Sequence, residues 1–268
     1  MVLESLLNPR SAAGKQLDIL VVSVMYTFIA LFFAYQLFPQ ESSLLTISMV
    51  TIVFVPFFQK LFEEDEAVEN SCAKPAGNLL VRHKETMLAF SAFFLGVVVA
   101  TSFAYIFFPS HSSAFSLQSQ TLRSITSGGV TEAGGFAKYF INNSQVMVLV
   151  FILSVVFGAG AIFILAWNAS VIGVFAGTLV QSLATKGIPP AAAFVYGLPV
   201  SLSSIALHGV PEIMAYFVAG LAGGILSVGI IRENIHSNEF RLVLKDAVKL
   251  LLVAEFLIVF AAWLEAFF

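Results

Sequence analysis

The chain has 268 residues, 59% of them hydrophobic and only 11% charged, with 28 phenylalanines and a formal net charge of -3. A mean hydropathy of +0.93 takes it out of the soluble globular class, and with no long Lys/Arg run it offers no footprint for nucleic acid. At roughly 20 apolar residues per crossing, the length suits a single integral membrane domain over 1–268, a bundle of about seven or eight helices in contact with the lipid bilayer.

The first apolar run, 17–38, follows Arg10 and Lys15. It is too long for a signal-peptide core and no small-residue cleavage site follows it, so it reads as an uncleaved first transmembrane helix. Pro39-Gln40-Glu41-Ser42-Ser43 leads into the second run, 44–62, and is short enough to make the two antiparallel neighbours. Further runs lie at 86–108, 144–167, 169–185, 190–207, 210–231 and 243–267, making eight candidates.

Residues 63–85 form the first loop, from Glu63-Glu64-Asp65-Glu66 to Arg82-His83-Lys84-Glu85. Acid followed by base suggests a folded-back or helical surface segment. The acidic run could bind a cation or a basic partner, but like charges in sequence repel and stay wet, so it reads as solvated surface and the loop as a place for partner contacts. Cys72, the only cysteine, excludes an intrachain disulfide and a Cys-based zinc site and reads as a small loop residue. The second loop, 109–141, is rich in Ser, Thr and Gly and is expected to be irregular as far as Phe136, where an interfacial helix begins. No internal repeat is visible, so an inverted-repeat transporter is not indicated.

Lys and Arg cluster at Arg10 and Lys15, at Lys60, Lys74, Arg82 and Lys84, and at Arg232, Arg241, Lys245 and Lys249, whereas 109–141 carries only Arg123 and Lys138. The positive-inside rule therefore puts the N-terminus in the cytoplasm and 109–141 outside the cell membrane. An odd number of crossings must separate 109–141 from the basic loop after 231, yet four candidates fill the interval. Two of them fusing into one span would restore the parity. The favoured solution is seven crossings, an external C-terminus, and one broken or re-entrant segment within 169–207, where Asn168, Gln181, Pro189-Pro190 and Pro199 interrupt the apolar run.

His208-Gly209-Val210-Pro211-Glu212 reads as a helix junction. Gly209 suits the left-handed residue past one helix end, Pro211 the first position of the next helix, and Glu212 its electropositive first turn. The junction does not explain His208. Asn142-Asn143 opens the fourth candidate span, where Asn143 reads as an N-cap, and Asn168 lies near its other end. Both asparagines that match a glycosylation acceptor pattern lie too close to the bilayer to serve. Glu265 can reach the interface among Trp263 and Phe267, whereas Glu255 is deeper and needs a partner on a neighbouring helix or a proton. With seven crossings, Asn142, Asn143, His208, Glu212 and Glu265 fall at one level on the outer side. Such a cluster is either a buried hydrogen-bond network that fixes helix register or an ion site, with His208, Glu212 and Glu265 as the ligands if a divalent metal binds; otherwise no cofactor is expected. Gly173-x-x-x-Gly177 and Gly220-x-x-x-Gly224 let helices approach closely, by default within the bundle.

Asn142-Asn143, Gly158, Asn168 with Gly173, His208-Gly209-x-x-Glu212 with Ala219-Gly220 and Gly223, and Ala262-x-x-Glu265-Ala266-Phe267 together resemble the stage II sporulation protein M family of integral membrane proteins. The resemblance covers roughly 138–268, with 1–137 outside it. It implies a membrane anchor or scaffold whose partners are other membrane or cell-envelope proteins. No His-Glu-x-x-His pattern, nucleophile elbow or phosphate loop is present. The expectation is therefore a non-enzymatic scaffold or accessory subunit, the alternative being a transporter or channel for a cation or proton-coupled solute at the same cluster.

Overall fold

The computed structural model describes residues 16–70, 79–108, 113–127 and 135–267. Among these the chain forms nine α-helices and no strand: α1 (Gln16–Leu37), α2 (Ser42–Asn70), α3 (Leu79–Arg82), α4 (Lys84–Phe107), α5 (Ser116–Ser127), α6 (Gly135–Phe157), α7 (Ala161–Ala184), α8 (Pro190–Arg232) and α9 (Asn238–Phe267). All but α3 and α5 are long and apolar enough to cross a membrane, giving seven candidate spans. The end of the bundle where α1 begins is termed proximal below, and the opposite end distal.

The breaks follow local chemistry. Pro39 stops α1, and the Ser42 hydroxyl donates to the Pro39 carbonyl at 2.8 Å as α2 starts. Gly158 (φ 67°) turns α6 into α7, and the backbone N–H of Ala161 donates to Ser154 Oγ at 3.2 Å across that turn. Gly187 (φ 91°) ends the next passage, and Pro190 opens α8 in the helical position that needs no N–H donor.

Three expectations change here. Asn168 marks no break but lies inside α7, the turn being ten residues earlier at Gly158. Asn143 is no N-cap, because α6 already begins at Gly135. The re-entrant segment sought in 169–207 is also absent: those residues divide between the end of α7 and the start of α8, and α8 absorbs two candidate runs into one helix of 43 residues. Pro199 and Pro211 both lie inside it, each removing one helical donor without ending the helix. Neighbouring helices hold such a segment in place where an isolated one would break.

The second, proximal half of α8 differs from the rest. From Ala215 to Gly229 every residue is buried, so this stretch is the axis of the bundle. As a whole α8 packs most extensively against α9 and α6, then against α7, α2 and α4, while α1 lies outside α4. Phe rings fill the space between α2, α4 and α8: Phe58 stacks on Phe90 at 4.8 Å, and Phe90 on Phe217 at 5.5 Å. The paired glycines serve these contacts. A Cβ on Gly173 would lie 1.9 Å from Thr101 Oγ1 and one on Gly177 2.8 Å from the Tyr105 ring, which brings α4 against α7. A Cβ on Gly220 would meet Ala161 at 2.9 Å and one on Gly224 would meet the Phe62 ring at 2.5 Å. Both motifs are thus used up inside the bundle.

Register fixes the outline. Gly223 lies against Ser154, and Glu212 faces Asn143, so α6 and α8 run parallel. Counted back from those contacts, α6 begins beside the middle of α8. The first few turns of α8, about 20 Å at 1.5 Å per residue, therefore extend past the distal ends of α6 and α9. There Gly197 packs on Val180 and Leu183, and Ala193 joins a small apolar cluster with Ile106 and Val180. On the open side Val195, Tyr196 and Val200 are exposed.

Candidate functional site

The continuous helix changes the meaning of His208-Gly209-Val210-Pro211-Glu212. Gly209 has no positive φ and the segment contains no junction. Helical periodicity instead puts Glu212 one turn before Tyr216, whose hydroxyl donates to Glu212 Oε1 at 2.7 Å. Asn143 of α6 approaches the same carboxylate. Its Oδ1 accepts from Asn142 Nδ2 at 3.0 Å, while its own Nδ2 is buried without a partner at good hydrogen-bond geometry. Glu265 of α9 completes the group: it lies within charge–charge reach of Glu212, Lys138 and Tyr139. Three helices distant in sequence therefore bring Asn142, Asn143, Glu212, Tyr216 and Glu265 to one level near the distal end.

Two expected members do not join. Asn168 is half-buried on α7 and donates to the Ile164 carbonyl of its own helix at 2.8 Å. His208 is half-buried one turn before Glu212, where α6 and α9 run out, and has no hydrogen bond or ion pair among the described residues. Consequently His208, Glu212 and Glu265 do not assemble as metal ligands, and no group of three His, Cys, Asp or Glu side chains among the described residues could hold an ion. Glu255 finds one partner: Ser144 donates to Glu255 Oε1 at 3.2 Å.

A second polar cluster lies at the proximal end. The acidic run is not a solvated loop but the last turns of α2, whose Leu61 and Phe62 face inward. Three to four residues later the same face presents Asp65 and Glu66, both buried. Asp65 accepts from Thr86 Oγ1 at 2.6 Å and lies 3.0 Å from His83 Nδ1, the His83 side chain being fully buried. Arg82 pairs with buried Asp246 of α9 at 3.6 Å, and Lys249 binds the same carboxylate. Arg232, at the end of α8, reaches Glu63 at 2.6 Å and Glu66 at 3.9 Å. Continuing the inward period of Leu61 and Phe62 into the acidic run would have found Asp65 and Glu66. Cys72 lies outside the described residues.

The family model for stage II sporulation protein M matches residues 86–268. The chain belongs to the stage II sporulation protein M family. The match starts well before residue 138, so it takes in α4 and α5 as well as the helices that build the distal cluster. No curated protein and no solved structure matches the chain. Family membership and seven long apolar helices together make this a multi-pass membrane protein.

Proposed function

We propose that this stage II sporulation protein M family member is a non-enzymatic scaffold or accessory subunit of the cell membrane, with its proximal end in the cytoplasm. The observation that carries the reading is the filled interior. Around α8, Phe62 covers Gly224, Phe90 stacks on Phe217, and Gly223 sits against the Phe151 carbonyl, so the axis is packed to backbone contact. Close-packed cores are stiff, which suits a body that holds other membrane or cell-envelope proteins in place. The distal cluster then acts as a register lock: Asn143 of α6 meets Glu212 of α8, whose carboxyl Tyr216 of the same helix holds in place. Arg82, Lys84, Arg232, Arg241, Lys245 and Lys249 at the proximal end support the orientation, against Arg123, Lys138 and Lys186 at the distal end.

A second reading, a carrier for a cation or a proton-coupled solute, is favoured by Glu212 itself, a carboxylate deep in a span beside the unpartnered Asn143 Nδ2. Proteoliposomes separate the two. The scaffold reading expects no protein-dependent flux of protons, Na⁺, K⁺ or Mg²⁺, and equal thermal stability of the parent across those ions. A flux that disappears in Glu212→Gln would replace it with the carrier.

A further inference from the structure

The side of α6 turned away from α8 carries polar groups where a membrane span meets hydrocarbon. Ile141, Ser144, Gln145, Val148 and Ile152 lie on one continuous strip with a shallow groove along it. Ile141, Val148 and Ile152 are exposed, as lipid-facing residues are, but so is Gln145. Gln145 sits near the midpoint of Gly135–Phe157, about 15 Å along the helix at 1.5 Å per residue, and its amide has no partner among the described residues. Beside it is Glu255, half-exposed on α9, whose one hydrogen-bond partner among the described residues is Ser144. An unused amide and an under-coordinated carboxylate at one depth are unfavourable against lipid and favourable against another helix.

We propose that a second copy of this chain covers the strip, forming a symmetric dimer about an axis along the membrane normal. Such an axis keeps every residue at its own depth, so Gln145 of one protomer arrives level with Gln145 and Glu255 of the other. The amide donates and the carboxylate accepts, and twofold symmetry makes each such bond twice. A different partner would have to supply a matching donor and acceptor at this depth, whereas a second copy brings both. Ile141, Val148 and Ile152 provide apolar packing around the polar centre. The glycine motifs offer no competing interface, since Thr101, Tyr105, Ala161 and Phe62 already fill their faces. The dimer goes beyond the scaffold reading and does not depend on it.

Cross-linking in native membranes tests the interface. In a Cys72→Ala background, Val148→Cys and Leu149→Cys, both exposed on the strip, should each give a covalent dimer of twice the chain mass with a short membrane-permeant bismaleimide. Phe32→Cys, on the exposed face of α1, should not. No adduct from the α6 positions, or adducts with a different membrane protein, would overturn the proposal. Gln145→Leu, an exposed change that leaves the fold intact, should weaken self-association in liposomes by roughly threefold to tenfold, read by energy transfer on dilution into excess lipid. Self-association as tight as the parent's would also overturn it.

Discussion

The proximal and distal clusters both bury carboxylates, but they neutralise them differently. At the proximal end acids meet cations or a histidine: Asp65 with His83, Asp246 with Arg82 and Lys249, Glu63 and Glu66 with Arg232. At the distal end Glu212 is held by a tyrosine hydroxyl and approached by an asparagine amide. Opposite charges suit the end of a bundle where long side chains still reach water. Neutral donors suit a deeper site, because they satisfy lone pairs without bringing a second charge into low dielectric. The comparison separates a clamp that ties helix ends together from a lock that sets how α6 and α8 slide.

The largest effect is expected where the clamp is most buried. Asp65→Ala strips His83 and Thr86 of their shared acceptor and should cost about 3–5 kcal/mol, measured as unfolding of purified protein in detergent. Asp65→Asn should recover part of that loss, since an amide oxygen can still accept from Thr86. Gly224→Val tests the packed wall between the clusters: the Phe62 ring must move, and a loss of roughly 1–3 kcal/mol should appear as a lower unfolding midpoint. In the distal lock, Tyr216→Phe removes one hydrogen bond from a buried Glu212 oxygen and should cost about 1–3 kcal/mol. Equal losses for Tyr216→Phe and Glu212→Gln would mean that the hydroxyl is the carboxylate's main support.

Smaller effects sharpen the contrast. Glu63 is well exposed and meets Arg232 at the surface, so Glu63→Ala should cost no more than about 1 kcal/mol, and the loss should shrink as salt is raised. Asn168→Leu removes only a bond to its own helix and should leave stability nearly unchanged. A drop as large as that of Tyr216→Phe would place Asn168 in the lock after all.

Membrane class, helix content and the number of long apolar helices were legible because lipid requires uninterrupted runs of apolar residues, and such runs are visible in composition alone. Parity from Lys and Arg placement expects Asn143, Glu212 and Glu265 at one level, and in the fold Asn143 of α6 and Glu265 of α9 both lie within reach of Glu212. The local reading of His208 to Glu212 failed for an instructive reason. Gly and Pro are strong breakers in water, but here α8 continues through Gly209 and Pro211 with α6 and α9 packed beside it over its second half. The acidic run misled in the opposite direction: four charged residues in a row look solvated, yet a helix turns two of them toward its core.

By itself the sequence determined what each segment could cross, since that depends on the apolar content of the segment alone. Only the tertiary structure decided which breakers break, which acids are buried and which glycines are filled. Each of those depends on what a neighbouring helix places opposite a residue: Thr101 opposite Gly173, Phe62 opposite Gly224, His83 opposite Asp65 and Asn143 opposite Glu212. Such pairings join residues far apart along the chain, and close packing, not local preference, selects them.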